Sequence, residues 1–119
     1  MPSRSFVTGE MADLLGVLAH PHRVRIVEEL RNGEMDVNSL QAILGVSHSR
    51  VSQHLSVLRS RRVVVERRDG RYVFYRLRQA ELAKWLLDGF EFLPMEVQQA
   101  QEIRDAVDKT REIWGGSKA

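Results

Sequence analysis

Nine arginines and no lysine stand between Arg50 and Arg78, against only Glu66 and Asp69, so residues 50–78 carry a net charge of +7. The flanking stretches are weakly acidic, −2 over residues 1–49 and −3 over residues 79–119, which leaves the whole chain at only +2. A planar guanidinium can grip a phosphate or a guanine edge through two parallel hydrogen bonds, which an ammonium group cannot. Two further groups have the right atoms for chemistry. His20 and His22 would hold a metal if a third ligand joined them. Placed where a helix should start, with the other two histidines, His48 and His54, both on a later helix, they are expected to cap or pack instead. Asp88, Glu91 and Glu96 lack a tight ligand spacing and are read as solvated. There is no cysteine, so disulfides, thiolate metal sites and thiol redox chemistry are excluded. No nucleophile elbow, phosphate-cradling glycine loop or histidine–carboxylate pair at a recognisable spacing supports catalysis. The expectation is therefore no enzyme, no cofactor and no metal.

The elements that must position these arginines follow from hydrophobic periodicity. Met11, Leu14, Leu15 and Leu18 mark a first helix over residues 10–18. Pro21 suits the first position of a second helix, where its missing N–H is not needed. Val24, Ile26, Val27 and Leu30 form the apolar side of that helix, and Asn32-Gly33 ends it. A third helix spans Val37 to Leu44 with Leu40, Ile43 and Leu44 inward. After Gly45-Val46, Ser47 is a good N-cap for a fourth helix. In that helix Val51, Leu55 and Leu58 recur at i, i+4 and i+7 as one buried stripe. Its other faces carry His48, Ser49, Arg50, Ser52, Gln53, Ser56 and Arg59, with no carboxylate among them. His48 is expected to meet a ligand, and His54 to be packed and hydrogen-bonded.

Two β-rich runs, 63–68 and 71–77, flank Asp69-Gly70 and predict a hairpin whose tip is crowded by Arg67, Arg68 and Arg71. Beyond it, residues 79–92 and 95–114 read as two helices broken near Pro94. Val97, Ala100, Ile103, Val107, Thr110 and Trp114 form a narrow seam on the last helix, more like a helix-pairing interface than a broad core face. Trp85, Phe90, Phe92 and Trp114 are expected to serve the same interface rather than an effector pocket. Gly115-Gly116-Ser117 is expected to begin a frayed tail.

Helix, tight link, helix and basic hairpin together make a winged helix-turn-helix. A major groove about 12 Å wide admits one helix, and short polar side chains near its N-terminus can reach base edges. An arginine-bearing hairpin can reach the flanking phosphates or the neighbouring minor groove. Residues 12–78 resemble the ArsR-type winged-helix repressors, the arsenical- and metal-responsive regulators of prokaryotes. The resemblance rests on Leu18-Ala19-His20-Pro21-His22-Arg23-Val24-Arg25-Ile26-Val27, on Leu44-Gly45-Val46-Ser47-His48-Ser49-Arg50-Val51-Ser52-Gln53-His54-Leu55, and on Leu58-Arg59. In the hairpin it rests on Arg68-Asp69-Gly70-Arg71 and Tyr75-Arg76-Leu77. It implies a symmetric dimer, paired through its first and last helices, that binds an imperfect palindrome and generally represses transcription. It also implies that His48, Ser49, Ser52 and Gln53 contact DNA. Arg50 is added from its charge and place on the helix.

The chain departs from that family at its familiar metal sensors. A Cys-Val-Cys motif at the start of the third helix is replaced by Asp36-Val37-Asn38. The zinc positions of the helices after the wing fall, by register, at Gln79, Glu81, Phe92 and Met95, one possible ligand in four. The two familiar metal sensors are thus absent, and the effector is left open.

The sequence thus predicts a mostly α fold with a β-hairpin wing, one domain over residues 1–119. Its winged-helix core is 10–78 and its C-terminal dimerisation helices are 79–114. The expected function is sequence-specific binding of double-stranded DNA as a homodimeric transcriptional regulator. The alternative is a winged-helix protein-interaction module without a DNA target. DNA contacts are assigned to His48, Ser49, Arg50, Ser52, Gln53, Arg59, Arg67, Arg68 and Arg71. The dimer interface is assigned to Met11, Leu14, Leu15, Val97, Ala100, Ile103, Val107 and Trp114. Neither a membrane span nor an apolar leader is seen, so a cytoplasmic place is expected.

Overall fold

A computed structural model describes residues 2–115, with side chains described through residue 107. The chain divides after Leu86 into two compact units. The first begins with α1 (Arg4–Leu18) and α2 (Pro21–Glu29), the latter running into a short 3-10 turn at Leu30–Asn32. β1 (Met35–Asp36), α3 (Val37–Leu44) and α4 (His48–Ser60) follow. The hairpin strands β2 (Val64–Asp69) and β3 (Tyr72–Leu77) come next, and α5 (Glu81–Asp88) crosses the division.

Helix starts are set by side-chain caps. Ser3 Oγ accepts the Phe6 N–H at 3.1 Å, which starts α1 six residues before the apolar spacing suggests. His20 Nδ1 accepts the His22 N–H at 3.0 Å, with Pro21 in the first turn of α2. Asp36 caps α3 through Ser39, and Ser47 caps α4 through Arg50. Each such cap satisfies a backbone donor that the helix cannot. Gly45, at φ +68°, ends α3 in the left-handed conformation and donates its N–H to the Gln41 carbonyl, so the chain can turn into α4 within three residues.

The core joins Leu18 of α1, Ile26 and Val27 of α2, Leu30, Leu40 of α3, and Val51, Leu55 and Leu58 of α4. Val63, Val64 and Leu77 close it from the sheet side, and Ala83 from α5. The buried stripe expected on α4 is present in full. α3 differs from expectation: Leu40 is buried, but Ile43 is exposed, because an eight-residue helix against this core needs only one face covered. Leu14 of α1 is half-buried and packs against the core of its own chain.

The sheet has three antiparallel strands in the order β1-β3-β2. β1 leaves no signal in the sequence, because two residues show no period; Met35 and Asp36 pair with Tyr75 and Phe74. The hairpin pairs Val64 with Leu77 through to Asp69 with Tyr72, so its two central loop residues are Gly70 and Arg71. Gly70 takes φ +62° at the first of these positions, where a two-residue loop of this hand needs glycine. Between α4 and β2, Arg62 holds a φ of +58°, which is uncommon for a side chain other than glycine or asparagine.

The second unit contains a 3-10 turn at Gly89–Phe92 and the long helix α6 (Met95–Gly115). Gln98 Nε2 donates to the Glu91 and Leu93 carbonyls at 3.2 and 2.7 Å, which fixes the chain entering α6. Val97, Ala100, Ile103 and Val107 are all exposed on this helix. The side chains of Thr110 and Trp114, and the tail from Gly116, lie outside the described residues. Among the described residues no helix is long and apolar enough to cross a membrane.

Candidate nucleic-acid interface

With Val51, Leu55 and Leu58 fully buried, the geometry of α4 leaves His48, Ser49, Arg50, Gln53, Ser56 and Arg59 exposed and Ser52 half-exposed. The exposed surface of the first two turns is thus made of hydrogen-bonding groups with no carboxylate. At the start of the helix, His48 and Ser52 face the wing across an open cleft of about 300 Å³. Arg68, Arg71, Tyr72, Val73 and Tyr75 line its wing side, and Asp36, Val37 and Asn38 its base. Four of the nine assigned residues, His48, Ser52, Arg68 and Arg71, therefore surround one cleft. Ser49, Arg50 and Gln53 lie on the same helix outside it.

Burial separates the two halves of this surface. The helix residues stand on a helix whose opposite stripe is locked into the core, whereas the wing arginines stand on a hairpin whose outer half is exposed. Their partners differ as well. Arg67 is paired with Glu34 and lies 4.7 Å over the Phe74 ring. Arg59 is 2.8 Å from Glu66, whose carboxylate also accepts the Tyr75 hydroxyl at 3.2 Å. Arg68 reaches the same Glu66 at 3.8 Å, too far for a strong pair. Arg50 and Arg71 have no ion pair among the described residues. The wing is thus less cationic than the charge of residues 50–78 suggests, because Glu34, from outside that stretch, neutralises Arg67.

These pairs set the protonation of their members. Glu34 is held below the ordinary carboxylate range, chiefly by its hydrogen bond from Arg67, which is itself raised by Glu34. Asp36 is lowered by the hydrogen bonds from Ser39 that make it a helix cap. Burial, then the Glu66 charge, pushes the Tyr75 hydroxyl up.

His54 turns away from this surface. Its ring lies 4.4 Å from His20 and 5.4 Å from His22, centroid to centroid, and Arg23 Nη1 is 3.3 Å from its Nδ1. Burial keeps both His54 and His20 below the ordinary histidine value, and the Arg23 charge adds to this. Sequence reasoning missed Asp36 and Tyr75 at the cleft. Asp36 was findable, since an aspartate just before a helical run is a cap signal. The pairing of Glu34 with Arg67 spans 33 residues and leaves no local trace.

A helix positioned by the core, a tight glycine link and an arginine-bearing hairpin beside it define a winged helix-turn-helix transcriptional regulator. Known proteins agree. The family model for the bacterial regulatory proteins of the arsR family matches residues 20–65. The biofilm growth-associated repressor of Agrobacterium fabrum is 37% identical over 84 residues, covering 71% of this chain and 72% of the relative. That of Xylella fastidiosa is 40% identical over 75 residues, covering 63% of this chain and 66% of the relative. Among solved structures, the transcriptional repressor BigR from Xylella fastidiosa superposes with a TM-score of 0.67 at 32% identity, covering 78% of this chain and 98% of that one. The chain belongs to the ArsR family, a family of DNA-binding regulators and not of enzymes.

Proposed function

We propose that the chain acts in the cytoplasm as a homodimeric repressor that binds an imperfectly palindromic operator, with α4 in the major groove and the wing on the flanking backbone. The observation that carries this reading is the single cleft at which His48 and Ser52 of α4 meet Arg68 and Arg71 of the wing. Base-edge donors and acceptors there stand next to phosphate-gripping cations, the division of labour that duplex recognition needs. Ser49, Arg50, Gln53 and Arg59 extend the contact along the helix, and Arg67 adds a weaker one.

Two copies are needed because one helix reads only a few base pairs, and a two-fold axis gives a second half-site about one turn away. Support for pairing comes from apolar surface that a lone chain leaves in water. Met11 and Leu15 are exposed on α1, and Val97, Ala100, Ile103 and Val107 on α6. Leu14 contributes less than the others, being packed inward, and Trp114 is assigned from the sequence alone. The names of the relatives, repressors among them, favour repression.

The test is selection of bound duplexes from a random pool, followed by equilibrium binding at several salt concentrations. A palindrome should be enriched, and affinity for it should fall steeply with salt as counterions are released. A folded dimer that ignores double-stranded DNA even in dilute buffer would refute the reading.

A further inference from the structure

Three histidines meet where the start of α2 packs against α4. His20 and His22 come from a His-x-His pair, and His54 arrives from the inner side of α4. Their ring centroids lie 4.4 Å (His20–His54), 5.1 Å (His20–His22) and 5.4 Å (His22–His54) apart. One ring nitrogen from each lies within 4.8 Å of those of the other two. All three residues are half-buried. His22 Nδ1 is buried and has no hydrogen-bond partner among the described residues. A buried polar atom normally finds a partner, so one left without asks for a ligand.

We propose that His20, His22 and His54 form a binding site for a divalent first-row transition-metal ion, zinc in the first instance, which ties α2 to α4. Neutral imidazole suits zinc, copper and nickel, and a set without thiolate or carboxylate excludes the hard alkaline-earth ions. Three histidines with a fourth position open to water is a known zinc arrangement. Bonds of about 2.0–2.1 Å in tetrahedral geometry put ligand nitrogens roughly 3.4 Å apart. The rings must therefore draw together from their present spacing, which rotation about their side-chain bonds allows.

The surroundings say what binding exchanges. His20 Nδ1 now accepts the His22 N–H, and Arg23 Nη1 approaches His54 Nδ1. A ring that ligates through Nε2 must carry its proton on Nδ1, where it can no longer accept. Coordination through Nε2 thus gives up the α2 cap and the Arg23 contact, and coordination through Nδ1 replaces them directly. Arg23 Nε donates to the Val17 carbonyl at 2.5 Å, which anchors the guanidinium as its terminal nitrogen is released. None of these three positions is one at which the family's familiar sensors fall, and the site does not depend on the DNA reading.

The experiment is titration of the full-length chain with zinc, by calorimetry and by competition with a chromophoric chelator, with cobalt as a spectroscopic stand-in. One ion per chain should bind, with the intense visible bands of four-coordinate cobalt. His20→Asn, His22→Gln and His54→Gln should each weaken zinc by at least about tenfold, as loss of a group supporting a metal typically does. His20→Asn is the decisive variant, because asparagine is a good N-cap and keeps α2 started. Circular dichroism will show that it is folded. Wild-type protein that binds no zinc more tightly than the triple variant would overturn the proposal. So would zinc affinity undiminished in a folded His20→Asn, since the ion would then sit elsewhere.

Discussion

Arg67 Nε donates to Glu34 Oε2 at 3.1 Å, so a guanidinium at the base of the wing tip is already occupied by a carboxylate from the loop before β1. Its neighbour Arg71 has no ion pair among the described residues. The arginines of the wing are therefore not equivalent, although the sequence presents them as one cluster. A phosphate reaching Arg67 must displace or share it with Glu34, whereas Arg71 offers its donors freely.

Replacing Arg71 or Arg68 with alanine should weaken binding to every duplex and lower the slope of log affinity against log salt by about 0.9 for each phosphate no longer neutralised. Arg67→Ala should do less of both. Glu34→Gln should strengthen binding, because it releases Arg67. Fluorescence anisotropy at four or five salt concentrations separates these outcomes; equal effects of Arg67→Ala and Arg71→Ala would remove the distinction.

Gln53 is exposed on α4 and can pair with a base edge. Gln53→Ala should reduce discrimination between operator and mutated operator by roughly 1–3 kcal/mol at one position, while binding to random DNA barely changes. Competition binding against single-base operator variants is the measurement. A uniform loss across all duplexes would place Gln53 on the backbone instead.

Leu55 is fully buried at the centre of the core. Leu55→Ala should destabilise the fold by about 2–5 kcal/mol through forfeited transfer energy and the cavity left behind. Ile43→Ala, at a position 38% exposed, should cost far less. Urea denaturation monitored by circular dichroism compares the two.

Met11→Glu and Ile103→Glu place charges on surfaces proposed to pair. Each should shift the protein from dimer to monomer in sedimentation equilibrium and weaken operator binding with it. A protein that stays dimeric in both variants would show that pairing uses other residues.

Glu34 and Asp36 both titrate below their ordinary values in the folded chain. A folded value depressed below the unfolded one gives stability that is present above the unfolded value and is lost as the pH falls through the folded one. Stability should therefore drop in the acid range below the ordinary glutamate value of 4.5. Asp36→Asn keeps a capping oxygen without the charge, so it should be less stable than wild type near neutrality and converge with it in acid. Thermal melts from neutral pH down to pH about 3 follow this divergence, since the linkage acts only across the two titrations.

Much of the fold was legible because its determinants are local. The stripe Val51, Leu55, Leu58 and the cap Ser47 place α4 to the residue, and two β-rich runs around glycine place the hairpin. The site was legible only by position. Nothing local reveals that Glu34 tempers the wing, because its pairing with Arg67 joins segments 33 residues apart. The histidines show the same limit. In the sequence His20 and His22 look like a pair lacking a third member, with His54 set apart on the fourth helix. The missing information is rotational: position 54 falls between two buried positions of α4 and faces α2.

In the order β1-β3-β2, the strand β2 is bonded on one side only. Its outer row of amide and carbonyl groups is a template on which another extended chain could grow. Glu66, Arg67 and Arg68 crowd that open border with charge, and β1 at the opposite border is only two residues long. Charge and brevity are how sheets avoid stacking edge to edge into aggregates. The side chains proposed to hold an operator therefore also act as gatekeepers, and neutralising all of them at once should yield a protein that clumps before its grip on DNA can be measured.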